Sequence, residues 1–201
     1  PLQFKAYREA FASFGATFAR RDWSLWHKLE ASAAKWVDYH GLDIDPAAVR
    51  ASKQVFYEQL IRDELRLKPG AEGLVRALSG KYRLCVASSS RIESIEACLQ
   101  RFALDGYFEQ LFSAVDLPRK KPYPDVYLTA LTRMGLPAES VIAIEDSPGG
   151  LQAATAAGIR CVVCPDTFVA REPSAYAGAA LIVQSLSDLD EAVLNRVSAE
   201  S

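Results

Sequence analysis

The sequence predicts an α/β protein, a doubly wound parallel sheet preceded by a helical cap. Residues 1–66 place apolar side chains at helical spacing only. After Lys68-Pro69-Gly70, short β-branched runs alternate with helical segments to the end of the chain. The expected domains are 1–67 for the cap and 68–201 for the core, with Pro69-Gly70 as the hinge between them.

In the first part, Leu2, Phe4, Tyr7, Phe11, Phe14 and Phe18 recur at steps of two to four residues. Trp23, Trp26, Leu29, Ala33 and Val37 follow the same period, as do Val55, Phe56, Leu60, Ile61 and Leu65. Three amphipathic helices are expected, their aromatic residues forming a core. Asp22 is placed to cap the second and Gly41 to end it, and Asp45-Pro46 reads as an N-cap followed by proline at the first helical position.

In the core, strands are expected at Tyr82–Ala87, Leu111–Val115, Val141–Ile144, Cys161–Cys164 and Leu181–Val183. Helices are expected at Ile92–Phe102, Pro124–Met134, Leu151–Ala157 and Leu186–Val197. This alternation has no internal repeat and no low-complexity segment.

Composition narrows the function. Of 201 residues half are hydrophobic, and 23 basic against 25 acidic residues leave a net charge of −2. No basic run is long enough to track a nucleic-acid backbone, so the expected ligand is small. No apolar stretch reaches the ~18–20 residues of a membrane span. Four scattered cysteines make no disulfide framework, which with the absence of a signal peptide places the expected location in the cytoplasm. Cys161-Val-Val-Cys164 has the spacing of a redox motif but lies in a strand-like run, where residues three apart face opposite ways. His27 and His40 read as helix-surface residues. The chain is expected to act as a monomer.

Ligands of an open parallel sheet bind beyond the carboxyl ends of its strands. The first such end runs into Ser88-Ser89-Ser90 and then a helix. Hydroxyls and free N–H groups there make a phosphate cradle, or one serine simply caps the helix. The second candidate is Arg119-Lys120-Lys121-Pro122-Tyr123-Pro124-Asp125. Pro122 holds Lys121 extended, fixing a cation at the rim, although three basic residues in a row also suit a solvated loop. The third is Glu145-Asp146-Ser147-Pro148-Gly149-Gly150, where the strand stops and both carboxylates can turn onto one cation. Oxygen-only ligands favour Mg²⁺; the alternative is that Asp146 or Ser147 only caps the next helix.

Ser88 after its strand, Lys121 in Lys-Pro-x-Pro-Asp and Glu145 to Gly150 as Glu-Asp-Ser-x-x-Gly resemble the second, third and fourth motifs of the haloacid dehalogenase superfamily. The closest likeness is to its β-phosphoglucomutase-like branch with a helical cap, and it spans essentially the whole chain. The resemblance implies Mg²⁺-dependent phosphoryl transfer through an aspartyl-phosphate on a small phosphorylated metabolite such as a sugar phosphate. It gives Ser88 the phosphoryl oxygens with further contacts from Ser89 and Ser90, has Lys121 neutralise them, and has Glu145 and Asp146 anchor Mg²⁺. It also implies that the cap closes over the substrate.

The family's opening Asp-x-Asp-Gly, whose first Asp is the nucleophile, occurs nowhere in the sequence, and Pro1-Leu2-Gln3 resembles the stretch about ten residues beyond it. With the other three motifs intact, the expectation is that the nucleophile and the first core strand precede Pro1. A degenerate homologue serving as a non-catalytic binding module is the alternative. Gln3 stands where the mutase branch carries a histidine, and no match to its cap arginine is found, which favours a phosphatase over a mutase. Lys28, Lys35 and Arg50 could meet a substrate anion but read first as solvated helix faces. A metal-independent dehalogenase of the same fold would not need the Glu145-Asp146 pair.

Overall fold

The computed structural model describes residues 2–28, 32–166 and 173–199. It divides into two compact units, Pro1–Arg66 and Leu67–Ser201.

The first unit contains the helices α1 (Leu2–Ser13), α2 (Arg20–Lys28), α3 (Ala33–Tyr39) and α4 (Pro46–Glu64). The second expected helix is therefore two. Its apolar period runs through both, so spacing alone could not show that Ser32 starts a new helix by accepting the Lys35 N–H at 3.2 Å. Asp22 lies inside the first turn of α2 and accepts the Ala19 N–H at 2.7 Å, while Asp45 caps α4 through the Ala47 N–H at 2.8 Å. Leu29 and residues 30–31 lie outside the described residues, as does the side chain of His27; His40 packs its ring on Trp36 at 4.4 Å.

Phe11, Phe18 and Trp36 are almost fully buried at the centre of this unit. Phe18 meets the Trp36 ring edge-on at 5.2 Å and the Trp26 ring at 5.5 Å, the arrangement that ring quadrupoles favour. Lys53 lies 4.3 Å from the Tyr57 ring centre, and burial pulls its pKa down to about 8.

The second unit opens with a helix the sequence reading did not include, α5 (Ala71–Leu78). Gly70 starts it at φ +81°, and a Cβ there would stand 2.6 Å from Ser187 Oγ. At the expected hinge, Gly70 thus packs closely on residues 186–187.

Among the described residues the short strands that follow are β1 (Cys85–Ser88), β2 (Gln110–Ser113), β3 (Ile142–Glu145), β4 (Arg160–Val163) and β5 (Leu181–Ile182). Between and after them lie α6 (Ile92–Arg101), α7 (Asp125–Met134), α8 (Pro148–Ala156) and α9 (Glu191–Ala199). The expected last helix divides, because Ser185 caps a separate 3-10 turn at Leu186–Asp188 before α9 begins.

Among the described residues all strand pairs are parallel, in two sheets ordered β1-β2 and β3-β4-β5. Phe112, Ala143, Cys161 and Val163 face one apolar layer with Val126, Tyr127 and Leu151 of α7 and α8. Val162, Cys164 and Val183 face the other with Leu74 of α5 and Leu194 of α9. Helices therefore cover both faces, the doubly wound arrangement. Cys161 and Cys164 point into opposite layers, and both are free thiols.

Among the described residues β1 and β3 each pair along one edge only. Leu84 and Ser88 turn their carbonyls to Glu109 and Ala114 beside β2, so by alternation the backbone of Cys85 and Ala87 faces the other edge. In β3, Glu145 gives its carbonyl to Cys164 N–H, which leaves the backbone of Ile142 and Ile144 on the open edge. Ile144 is correspondingly 38% exposed, unusual for isoleucine in such a strand.

Candidate active site

Three basic residues follow one another at 119–121, and the structure separates them. Arg119 clasps Asp125, with 3.0 Å between Nη2 and Oδ2, and lies 4.9 Å from the Tyr123 ring centre. Lys120 is exposed, its carbonyl accepting the Tyr123 N–H at 3.0 Å. Lys121 turns inward. Its ammonium donates to the Ala87 carbonyl on the open edge of β1 at 3.0 Å and pairs with the Glu145 carboxylate at the end of β3. One lysine thus joins the ends of strands that do not pair with each other. The pair is well covered, at 14% and 9% side-chain exposure.

The same Glu145 oxygen, Oε1, accepts a hydrogen bond from the Tyr127 hydroxyl of α7. The Lys121 ammonium lies 4.9 Å from the Tyr127 ring centre. Burial and the neighbouring Glu145 charge push the Tyr127 phenol well above its ordinary pKa, so it stays a donor. The Cys161 thiol is pushed up to about 12, first by burial and then by Glu145. Gly150 provides the space for this carboxylate: a Cβ there would overlap it, standing 2.7 Å from Oε1.

At the end of β1 the serines do not cap α6. Arg91 holds the N-cap position without a side-chain bond, and Ser88 Oγ instead accepts the Ser90 N–H at 3.0 Å, curling the loop. Ser113 of β2 fixes it from beside by donating to the Ser90 carbonyl at 2.8 Å. Ser89 is exposed, Ser88 and Ser90 half-buried. This loop begins one residue beyond the carbonyl that anchors Lys121.

At the end of β3, Ser147 caps α8 by accepting the Gly150 N–H at 3.1 Å, with Pro148 as the first helical residue. Capping therefore does not occupy Asp146. Its carboxylate is half-exposed, and its contact is Lys68 Nζ at 3.4 Å. The structure gathers Ser88, Lys121, Glu145 and Asp146 at the carboxyl ends of β1 and β3. Sequence reasoning missed Tyr127, Lys68 and Gly150; the Glu-Asp-Ser-x-x-Gly spacing was the available signal for Gly150, and the tyrosine two residues past Pro-Asp had none.

These residues fit a magnesium ion in a limited way. Mg²⁺ keeps several waters and needs one or two carboxylates besides substrate oxygens. Asp146 presents a half-exposed carboxylate met by Lys68 Nζ at 3.4 Å, whereas Oε1 of Glu145 is already taken by Lys121 and Tyr127. Among the described residues no three His, Cys, Asp or Glu side chains gather as a ligand set.

A family model for haloacid dehalogenase-like hydrolases matches residues 2–158. The chain is 29% identical over 208 residues to the protein CbbY of Cereibacter sphaeroides, covering 94% of this chain and 86% of that one. It is 27% identical over 168 residues to fructose-1-phosphate phosphatase YqaB of Escherichia coli, covering 81% and 87%. The crystal structure of a CbbY variant from Rhodobacter sphaeroides in complex with xylulose-(1,5)-bisphosphate superposes with a TM-score of 0.83 at 26% identity, over 94% of this chain and 88% of that one. Both the extent of the family match and the placement of its motif residues at successive strand ends lead to one assignment: this chain is a member of the haloacid dehalogenase-like hydrolase family.

Proposed function

We propose that the protein is a Mg²⁺-dependent phosphatase of a small phosphorylated sugar, acting through an aspartyl-phosphate. The observation that carries this reading is Lys121, a covered ammonium held between the strand that leads into the serine loop and the Glu145 carboxylate. A unit charge 4 Å from a phosphoryl oxygen contributes on the order of 4 kcal/mol at an effective dielectric of 20.

Ser88, Ser89 and Ser90, with the uncapped first turn of α6, hold the non-transferring oxygens. Lys121 neutralises the charge that accumulates on them. Asp146, with Glu145 beside it, would hold Mg²⁺. The ion, when bound, draws charge from the phosphoryl oxygens. In this reading the attacking carboxylate belongs to a strand laid between the open edges of β1 and β3, toward which Cys85, Ile142 and Ile144 turn their backbone groups and where the Ala87 carbonyl holds Lys121. Names of the relatives, fructose-1-phosphate phosphatase and a complex with a pentulose bisphosphate, support a ketose phosphate as substrate.

The test is phosphate release from a panel of ketose and aldose phosphates, with Mg²⁺ or with EDTA. The 201-residue chain is compared with a form extended by an Asp-x-Asp strand. Turnover is expected from the extended form and only with the metal. Release by the short chain alone would place the nucleophile elsewhere, EDTA-resistant halide release from a 2-haloacid offered in parallel would establish a dehalogenase, and an inactive extended form would favour a binding module.

A further inference from the structure

Lys68 lies next to Leu67, where the second unit begins, and reaches a carboxylate 78 residues away. Its ammonium stands 3.4 Å from Asp146 Oδ2 and 3.4 Å from the Cys164 carbonyl. These acceptors follow adjacent strands whose ends are tied together, Cys164 N–H to the Glu145 carbonyl at 2.8 Å and Asp166 N–H to the Asp146 carbonyl at 3.0 Å. A cation therefore already occupies an oxygen-lined seat at the joined ends of β3 and β4. Both side chains remain open to water, at 37% and 48% exposure, so the ammonium is held loosely.

Asp146 is also the carboxylate left over once Lys121 and Tyr127 have engaged Glu145. Asp188 lies close enough to act electrostatically on Cys164, and Asp166 on Tyr176, as Asp146 does on both. Negative charge thus collects around the seat.

We propose that Lys68 is the resident counter-cation of Asp146 and yields to the divalent ion, so that Lys68 and Mg²⁺ exclude each other at this carboxylate. This rests on the assignment of Mg²⁺ to Asp146 above and extends it to how the ion's affinity is set. The ammonium keeps the strand end neutralised while no ion is bound. Each binding event must first release it, so the apparent Kd is the intrinsic one divided by the fraction of time Lys68 is away from Asp146. A doubly charged ion wins because its attraction to the carboxylate is about twice that of a single charge at equal distance.

Calorimetric titration of Mg²⁺ into the 201-residue chain at low ionic strength tests this. Lys68→Met and Lys68→Gln are expected to tighten Mg²⁺ binding by about 3- to 5-fold, the range an exposed ion pair allows. Lys68→Arg should leave the affinity as in the wild type, as should Lys120→Met, which controls for loss of one positive charge from the surface. In an Asp146→Asn background Lys68→Met should change nothing. With lysines ¹³C-methylated, the Lys68 resonance should move to the free-lysine position as Mg²⁺ saturates. Unchanged or weaker binding by both neutral variants, or a Lys68 resonance that stays in place while Mg²⁺ binds through Asp146, overturns the proposal and leaves the metal assignment standing. Asp146→Asn binding Mg²⁺ as tightly as wild type, or no heat from any variant, removes the metal assignment and this proposal with it.

Discussion

Gly150 lies directly against the carboxyl group of Glu145, and a Cβ on Gly150 would stand 2.7 Å from Glu145 Oε1. Its neighbour Gly149, also in the first turn of α8, has nothing within 4 Å of its own Cβ position. Gly150→Ala should displace Glu145 from Lys121 and Tyr127 and destabilise the fold by at least ~2 kcal/mol. Gly149→Ala should instead stabilise by ~0.5–1 kcal/mol through helix propensity. Urea unfolding of the two variants checks this; equal effects would show that the contact with Glu145 is not what keeps position 150 bare.

Lys121→Ala leaves the Glu145 carboxylate covered and unpaired, which costs about 3–5 kcal/mol. Lys120→Ala, at an exposed position, should fall within ~0.5 kcal/mol of wild type. Lys121→Met combined with Glu145→Gln should recover most of the lost stability, since the stranded charge is gone, without recovering phosphate binding. In an active extended form Lys121→Ala should lower kcat/KM by at least ~10²-fold. A larger loss from Lys120→Ala would transfer the phosphate role to that residue.

Tyr127→Phe keeps the ring under the Lys121 ammonium and removes only the hydroxyl bound to Glu145. A hydrogen bond to a charged acceptor contributes about 1.5–3 kcal/mol. The expected result is destabilisation in that range that falls to about 0.5–1.5 kcal/mol when Glu145→Gln, still an acceptor but uncharged, is already present, read from a double-mutant cycle. Additive losses would mean that the hydroxyl acts through some other partner.

The Cys161 thiol sets an alkaline limit. Its folded pKa of about 12 exceeds the ordinary value of 9.0, so the unfolded chain loses its proton first. Stability from keeping the thiol neutral is complete below pH ~9 and is lost as pH rises toward about 12. Tyr127, raised in the same direction, adds to the fall above its ordinary value of 10.0. Urea midpoints measured from pH 8 to 11 should decline, and Cys161→Ala should flatten the decline whatever it does to absolute stability. A slope unchanged by Cys161→Ala would locate the alkaline sensitivity elsewhere.

How much the sequence determined varies element by element. Asp45-Pro46 fixed the start of α4 because an N-cap acts through its own neighbours within one turn. Strand and helix alternation gave the α/β class, and the Cys161 and Cys164 faces followed from the two-residue period of a strand. The placement of Ser88, Lys121, Glu145 and Asp146 at strand ends was legible because each follows an apolar run, and parallel sheets bring the polar loops after their strands to one side.

Other features depended on the tertiary structure. Helices α2 and α3 share one apolar period, so a local pattern could not separate them; α5 went unread beside the turn that precedes it. Which of three adjacent basic residues turns inward was decided by distant groups, Asp125 clasping Arg119 while Ala87 and Glu145 draw in Lys121. Tyr127 carried no signal because an aromatic residue at a helical core position reads as packing, and only the fold sets its hydroxyl on Glu145. The sequence by itself determined which residue types stand at each strand end, since that is local. The tertiary structure alone decided that Lys121 takes Glu145 and Lys68 takes Asp146, because the pairing of charges depends on distances through space between segments far apart in the chain.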